Sequence, residues 1–451
     1  MKRKIYNKLL DWKNQWNGKS AALIDGARRI GKSWIVEEFA KNEYKSYILI
    51  DFNNVSKQIT NLFENYLSDL DVLFQRLSLL TGVKLYERDS VIVFDEVQQF
   101  PRARAAIKYL VKDGRYDYIE TGSLVSINRN VKGIVIPSEE ERIDMFPMDF
   151  EEFLWAMGDD MLMPFVRDCF GKRQPLGADL HRKVMELFRQ YMIVGGMPQA
   201  VVEYVESRDF VKVDRIKRSI IKLYRSDISK YAFGAEQKVT KIFDAIPSQL
   251  QRHEKRFRIG TIAKGARMRD YVAPMFWLAE SRVVNICYAT TEPSIGLNLN
   301  RDEAKLKLYL ADTGLLISLA FNERDIQNGQ IYKKLMFDKL EINKGMLVEN
   351  MVAQMLRTAG NELYFYSHYS RDSADRMEVD FLIRKSNVTS RHNVSPIEVK
   401  SATGYALTSL KKCIAKFGQQ LATPYVLHTG DLKTDDGIVF LPLYMTPFLG
   451  V

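Results

Sequence analysis

The 451-residue chain is poor in cysteine and histidine, with three and five respectively. Cys169, Cys287 and Cys413 lie far apart, in an odd number, with no Cys-x-x-Cys pair and no histidine beside them. That speaks against a structural zinc site and for a reducing cytoplasm. Long apolar runs are also missing. Stretches such as "APMFWLA" fall far short of the roughly 18–20 residues a membrane span needs, so no membrane partner is expected. The N-terminus is basic and lacks the apolar core of a signal peptide. It reads as an amphipathic helix with Ile5, Leu9, Leu10 and Trp16 near one face. No Asn-Lys-x-Asp element selects guanine, which favours ATP among nucleotides. What the chain has is basic charge, +10 net, which suits a nucleic-acid partner because neutralised phosphates release counterions.

Strand-like runs punctuate the first third: "AALIDG" (21–26), "SYILIDF" (46–52), "SVIVFDE" (90–96), "YDYIETG" (116–122) and "RIDMF" (142–146). They are almost continuously apolar, as strands buried on both faces are. Helical segments at 33–42 and 56–80 separate them, so an α/β domain with a parallel sheet is expected. Between the first strand and the first of these helices lies Gly26-Ala27-Arg28-Arg29-Ile30-Gly31-Lys32-Ser33, a G-x-x-x-x-G-K-[ST] phosphate loop. Glycines allow a tight turn and close anion approach, and the helix N-terminus directs N–H groups at phosphates. Residues 26–34, through Trp34, are therefore the expected nucleotide contacts, with Lys32 on the β and γ phosphates and Ser33 on Mg²⁺. "NGKS" at 17–20 is no competitor, since Lys13 stands where the upstream glycine belongs.

Two carboxylates ending an apolar strand are costly unless they meet a cation or water. "VIVFDE" supplies Asp95, expected at the Mg²⁺ shell, and Glu96, expected to orient or deprotonate the attacking water. Thr121 and Ser123 end another strand and offer hydroxyls to the γ-phosphate or that water. Arg102, Arg104, Arg142 and Arg225 are candidates for an arginine that stabilises transition-state charge.

Residues 161–246 read as a helical lid, interrupted by "GGMPQA" at 195–200. Residues 247–325 read as helix, short helix, second helix and hairpin, an order that resembles a winged helix. Arg252, His253, Lys255, Arg256, Arg258, Lys264, Arg267 and Arg269 crowd that stretch. The charge suits DNA more than RNA, but such modules also bind proteins. From 326 to 451 a helix bears Glu349, one strand bears Asp380, and another bears Glu398 and Lys400 on one face. Helix Glu, strand Asp, strand Glu-x-Lys resembles the PD-(D/E)xK nuclease core, in which carboxylates hold Mg²⁺ beside a helper lysine. Shape and cleavage are separate matters, since such cores can lose catalysis.

"GARRIGKS", "VIVFDEVQ", "ETGSL", "FPMDFEEFLWAMG", "VGGMPQAV", "YRSDISKYA", "KLYLADTGLL", "LVEN", "EVDFLI" and "PIEVKS" together resemble a prokaryotic family. Its members pair an AAA-type ATPase with a C-terminal domain of unknown function. The resemblance implies ATP binding and hydrolysis and a nuclease-like tail. The expected division is thus 1–160, a P-loop AAA-type ATPase domain; 161–246, a lid; 247–325, a winged-helix-like module; and 326–451, a nuclease-like α/β domain. Related ATPases often work as rings or clusters, so a homo-oligomer is among the expectations. "EEERIDMF" departs from the family pattern before the last strand, so no trans-acting role passes to Arg142. Three functions remain open on sequence alone: an ATPase coupled to nucleic-acid binding, an ATP-gated scaffold with a non-catalytic tail, and an ATP-controlled Mg²⁺-dependent nuclease.

Overall fold

A computed structural model describes residues 1–450 except 124–136, 253–255, 295, 324–329, 337–343, 371, 373–374, 385–392 and 403. His253 and Lys255 of the basic run therefore lie outside the described residues. The chain divides into two compact units, 1–147 with 280–282, and 148–279 with 283–451.

In the first unit the strands are β1 (Ala21–Asp25), β2 (Ser46–Asp51), β3 (Ser90–Asp95), β4 (Asp117–Gly122) and β5 (Glu140–Asp144). They form one parallel sheet in the order β2-β3-β4-β1-β5. Every residue of β1, β3 and β4 is buried, which is why those runs lack apolar–polar alternation. The order places β4 between the strand that enters the phosphate loop and the strand that ends in Asp95. Thr121 consequently pairs with Ile24 of β1, one residue beyond the pairing of Glu120 with Phe94 of β3. The segment 56–80, expected as one helix, is two, Lys57–Asn65 and Leu70–Thr81. Asp69 breaks it by accepting the Val72 N–H at 3.1 Å as an N-cap. The N-terminal helix is Ile5–Trp16 and buries Ile5 and Leu9, as expected, with Leu10 half-buried; Trp12 completes the buried face, and Trp16 is 40 % exposed.

In the second unit the strands are β6 (Val284–Thr290), β7 (Arg301–Leu310), β8 (Leu363–His368), β9 (Met377–Arg384), β10 (Val394–Val399), β11 (Tyr425–His428), β12 (Lys433–Asp435) and β13 (Ile438–Pro442). They make one mixed sheet, β12-β13-β11-β10-β9-β8-β6-β7. The hairpin expected as a wing is thus part of this sheet, because β6 pairs in parallel with β8 from Cys287↔Leu363 to Thr290↔Tyr366. The short helix expected before it is a pair of 3-10 turns, Ile259–Thr261 and Met268–Asp270.

Apart from 280–282, residues 161–246, 247–325 and 326–451 share the second unit, and a buried polar hub explains why. Asp312 accepts the Gly196 N–H at 2.5 Å and the Leu315 N–H at 2.8 Å. Asn350 accepts the Leu310 N–H at 2.8 Å, and Gln354 accepts the Thr313 N–H at 2.8 Å and donates to Tyr191 at 3.0 Å. Met148 donates its N–H to the Gly196 carbonyl at 2.7 Å. The motifs "FPMDF", "VGGMPQ", "ADTG" and "LVEN" meet here because each supplies backbone or amide groups that burial obliges to pair.

Candidate active site

β1 ends at Asp25, and the chain then turns through residues 26–31 into the helix Lys32–Glu43. A Cβ on Gly26 would lie 2.4 Å from the Met145 carbonyl oxygen, so only glycine fits against β5's exit. Gly31 adopts φ 90°, the left-handed conformation that the turn requires. Ala27 and Ile30 are buried and anchor the loop, Arg28 is half-buried, and Arg29 and Trp34 are exposed. Lys32 is buried, with Nζ 3.0 Å from the Gly26 carbonyl and 2.9 Å from that of Ala27. Burial pulls its pKa down, while Glu96, Asp25 and Asp95 push it up.

Asp95 is the meeting point. Its Oδ1 accepts the Ser33 hydroxyl at 2.8 Å and also the Thr121 hydroxyl. Burial raises its pKa, and those two hydrogen bonds work the other way. Glu96 adopts φ 55°, which turns its backbone N–H onto Thr121 Oγ1 at 3.3 Å. Its Oε2 accepts from Ser123 Oγ at 3.5 Å and from the Gln98 amide. The structure therefore brings together Lys32, Ser33, Asp95, Glu96, Thr121 and Ser123 from three different strand ends. An oxygen pair made by a hydroxyl and a carboxylate is a donor set that suits Mg²⁺.

The candidate arginines are all engaged. Arg102 donates to the Phe63 carbonyl at 3.0 Å, and Arg104 pairs with Glu140 at 2.8 Å. Arg225 pairs with Asp244 at 2.8 Å, and Arg142 pairs with Asp25. Sequence reasoning missed four residues. Arg3 is buried and donates to the carbonyls of Ile30 and Phe146, both at 2.8 Å. Asp25 receives Arg142 and also Arg282, whose Nε lies 3.0 Å away. Gln98 holds Glu96. Only Asp25 and Gln98, adjacent to recognised motifs, carried any local signal.

The C-terminal candidate residues each have internal partners. Glu398 is buried and bonds Lys400 Nζ at 2.7 Å. Burial, and then Asp380, push its pKa up to about 7. Asp380 Oδ2 accepts the Val399 N–H at 2.8 Å. Glu349 accepts the Tyr309 hydroxyl and lies 3.5 Å from Lys307 Nζ, which also meets Glu378 at 2.8 Å. Burial opposes charge on Lys307, but Glu378 and Asp380 outweigh it and raise its pKa. Each of Glu349, Asp380 and Glu398 thus meets an internal donor. Among the described residues no group of three or more His, Cys, Asp or Glu is placed to hold a metal ion. Lys307 gave no signal, since "KLKLYL" reads as ordinary strand alternation.

The sheet order, the glycine loop and the Ser33–Asp95 pair define a P-loop nucleotide-binding domain. Residues 18–154 match a family model described as an AAA domain, in agreement with that class. Residues 185–325 and 344–445 match two further models, Domain of unknown function (DUF8612) and Domain of unknown function (DUF4143). No curated protein matches the chain. Among solved structures it is similar to the Walker-type ATPase PABY2304 of Pyrococcus abyssi, at 16 % identity over 71 % of this chain and 96 % of that one, TM-score 0.43. It is also similar to Cdc6p from Pyrobaculum aerophilum, at 12 % identity over 75 % and 94 %, TM-score 0.25. A third is the signal-transduction ATPase PH0952 from Pyrococcus horikoshii, at 12 % identity over 78 % of this chain and 48 % of that one, TM-score 0.26. All three TM-scores are below 0.5, so the class rests on the matched model and on the site itself. No helix among the described residues is long and apolar enough to cross a membrane.

Proposed function

We propose that the first unit binds ATP and hydrolyses it, and that the nucleotide state governs what the second unit binds. The observation that carries this reading is the convergence of Ser33 and Thr121 on Asp95, beside the buried Lys32. Ser33 and Asp95 would hold Mg²⁺, whose charge would offset that of the phosphates. Lys32 would turn its ammonium from the loop carbonyls to the β and γ phosphates. Thr121 fixes the Asp95 carboxylate. Glu96, steadied by Gln98 and Ser123, orients the attacking water and takes its proton. Glu96→Gln should keep ATP binding and lose turnover by roughly 10²–10⁴-fold. Lys32→Ala should lose nucleotide binding itself. Fluorescent-nucleotide titration and phosphate release measure the two effects, and wild-type turnover in Glu96→Gln would overturn the role of Glu96.

A nucleic acid is the partner that one feature favours: Arg256, Arg258, Lys264, Arg267 and Arg269 are all exposed within fourteen residues. DNA should raise ATP turnover, and retention should weaken steeply with salt, as counterion release requires. Absence of both effects would leave the scaffold reading, in which the second unit binds a protein.

A further inference from the structure

We infer that the acidic cluster of the second unit's sheet carries its own cation, the Lys307 ammonium, and so takes no divalent metal and cleaves no phosphodiester. The inference concerns the second unit alone and does not depend on whether the first hydrolyses ATP.

A metal-dependent nuclease core must leave its carboxylate oxygens turned towards the ion, with the helper lysine directed at a water. Here one oxygen of each of Glu349, Glu378, Asp380 and Glu398 meets an internal donor. Lys307 and Tyr309 are two apart on β7 and share a face. The Lys307 side chain is wholly buried, and its Nζ passes 4.7 Å from the centroid of the Phe365 ring on β8. It ends 2.8 Å from Glu378 Oε1 and 3.5 Å from Glu349 Oε1. Tyr309 donates to the same Glu349 oxygen. Glu378 and Asp380 are two apart on β9, so the ammonium lies on the face that bears both carboxylates. Asp380 is bound by a backbone N–H of β10, and Lys400, the expected helper, is bonded to Glu398.

The Lys307 ammonium already supplies positive charge beside Glu349 and Glu378. A divalent ion beside a buried ammonium meets repulsion that little water screens. Glu398 Oε2 has no partner among the described residues, but it is a single oxygen, and Mg²⁺ or Mn²⁺ needs several converging on one point. Lysine also explains why Glu378, Asp380 and Glu398 of the sheet gather near the buried Glu349 of the helix Lys344–Thr358: unpaired, buried carboxylates would be costly. A PD-(D/E)xK-like shape is compatible with this chemistry, because the chain can keep the arrangement of strands while an internal ammonium stands in for the ion.

The test uses the full chain without nucleotide. Mn²⁺ is titrated into wild type, Glu398→Gln and Asp380→Asn, with free Mn²⁺ read by electron paramagnetic resonance, and plasmid nicking is assayed in Mg²⁺ and Mn²⁺. The expected result is three superimposable titrations, with no site tighter than millimolar, and no nicking. A sub-millimolar site lost in either variant, or Mg²⁺-dependent nicking lost in Lys400→Ala, would overturn the inference. Lys307→Met adds a stability readout: removal of the ammonium should lower the melting midpoint clearly. A wild-type midpoint in that variant would also overturn it. If Lys307→Met fails to fold, the wild-type titration and nicking assay still decide.

Discussion

Lys217 and Lys307 are both wholly buried, yet their surroundings shift them in opposite directions. Lys307 faces enough carboxylate to remain charged. Lys217 donates to the Ile193 carbonyl at 2.7 Å, and burial draws its pKa down to about 8 even with Asp214 and Asp312 nearby. An exposed lysine side chain titrates near 10.5. Between about pH 8 and 10.5 the unfolded chain therefore holds a proton that the folded chain has released. Stability rises with pH wherever the unfolded state binds more protons, by up to about 1.4 kcal/mol per unit for one group. Wild type compared with Lys217→Met by urea unfolding should gain on the order of 2–3 kcal/mol between pH 7.5 and pH 10. The comparison cancels the exposed lysines common to both chains. A difference that stays flat would show that burial does not shift Lys217, and one that falls with pH would show that its pKa is raised.

At the scale of elements, glycines separate the positions where the backbone is crowded from those where it is not. Gly196 follows the end of the helix Ala178–Val194, and a Cβ there would lie 2.1 Å from the Met148 carbonyl oxygen. Backbone cannot yield as a side chain can, so Gly196→Ala should destabilise by roughly 1–3 kcal/mol or more. Gly171 lies inside the helix Leu162–Lys172 with nothing within 4 Å of its Cβ direction. Gly171→Ala should stabilise by about 0.5–1 kcal/mol, because alanine loses less backbone freedom on folding. Thermal melts of the two variants should move in opposite directions. A neutral Gly196→Ala would mean that Met148 and the helix end are not held together. The same contrast shows what the sequence can convey about elements. The phosphate loop was legible because its function and geometry lie within eight successive residues, and Asp95-Glu96 because an apolar strand ends there. "VGGMPQAV" was visible as a break, but its purpose was not, since Met148 and Asp312 approach from 48 and 116 residues away. Arg3 at the loop and Arg282 at Asp25 were invisible for the same reason.

At the scale of the whole molecule the chain looks like four consecutive modules and folds as two units. The discrepancy arises at β6. A hairpin partner announces itself by the turn between the strands, whereas a parallel partner needs no short connection and leaves no local mark. Hence β6–β7 was legible as a hairpin, and the pairing of β6 with β8 was not. The pairing gives residues 326–451 a strand neighbour from outside that range. Cut off before residue 326, they would expose the β8 edge that Cys287, Tyr288, Ala289 and Thr290 otherwise cover. They would also lose Lys307 and Tyr309, leaving the 1 % exposed Glu349 without those partners. Residues 148–451 keep both strands and the whole polar hub. The fragment 326–451 should therefore be insoluble or unfolded by circular dichroism, and 148–451 should show a cooperative melt. A folded, monomeric 326–451 fragment would establish an autonomous tail domain and would show that the β6–β8 ladder and the Lys307 ion pairs contribute little to holding its core together.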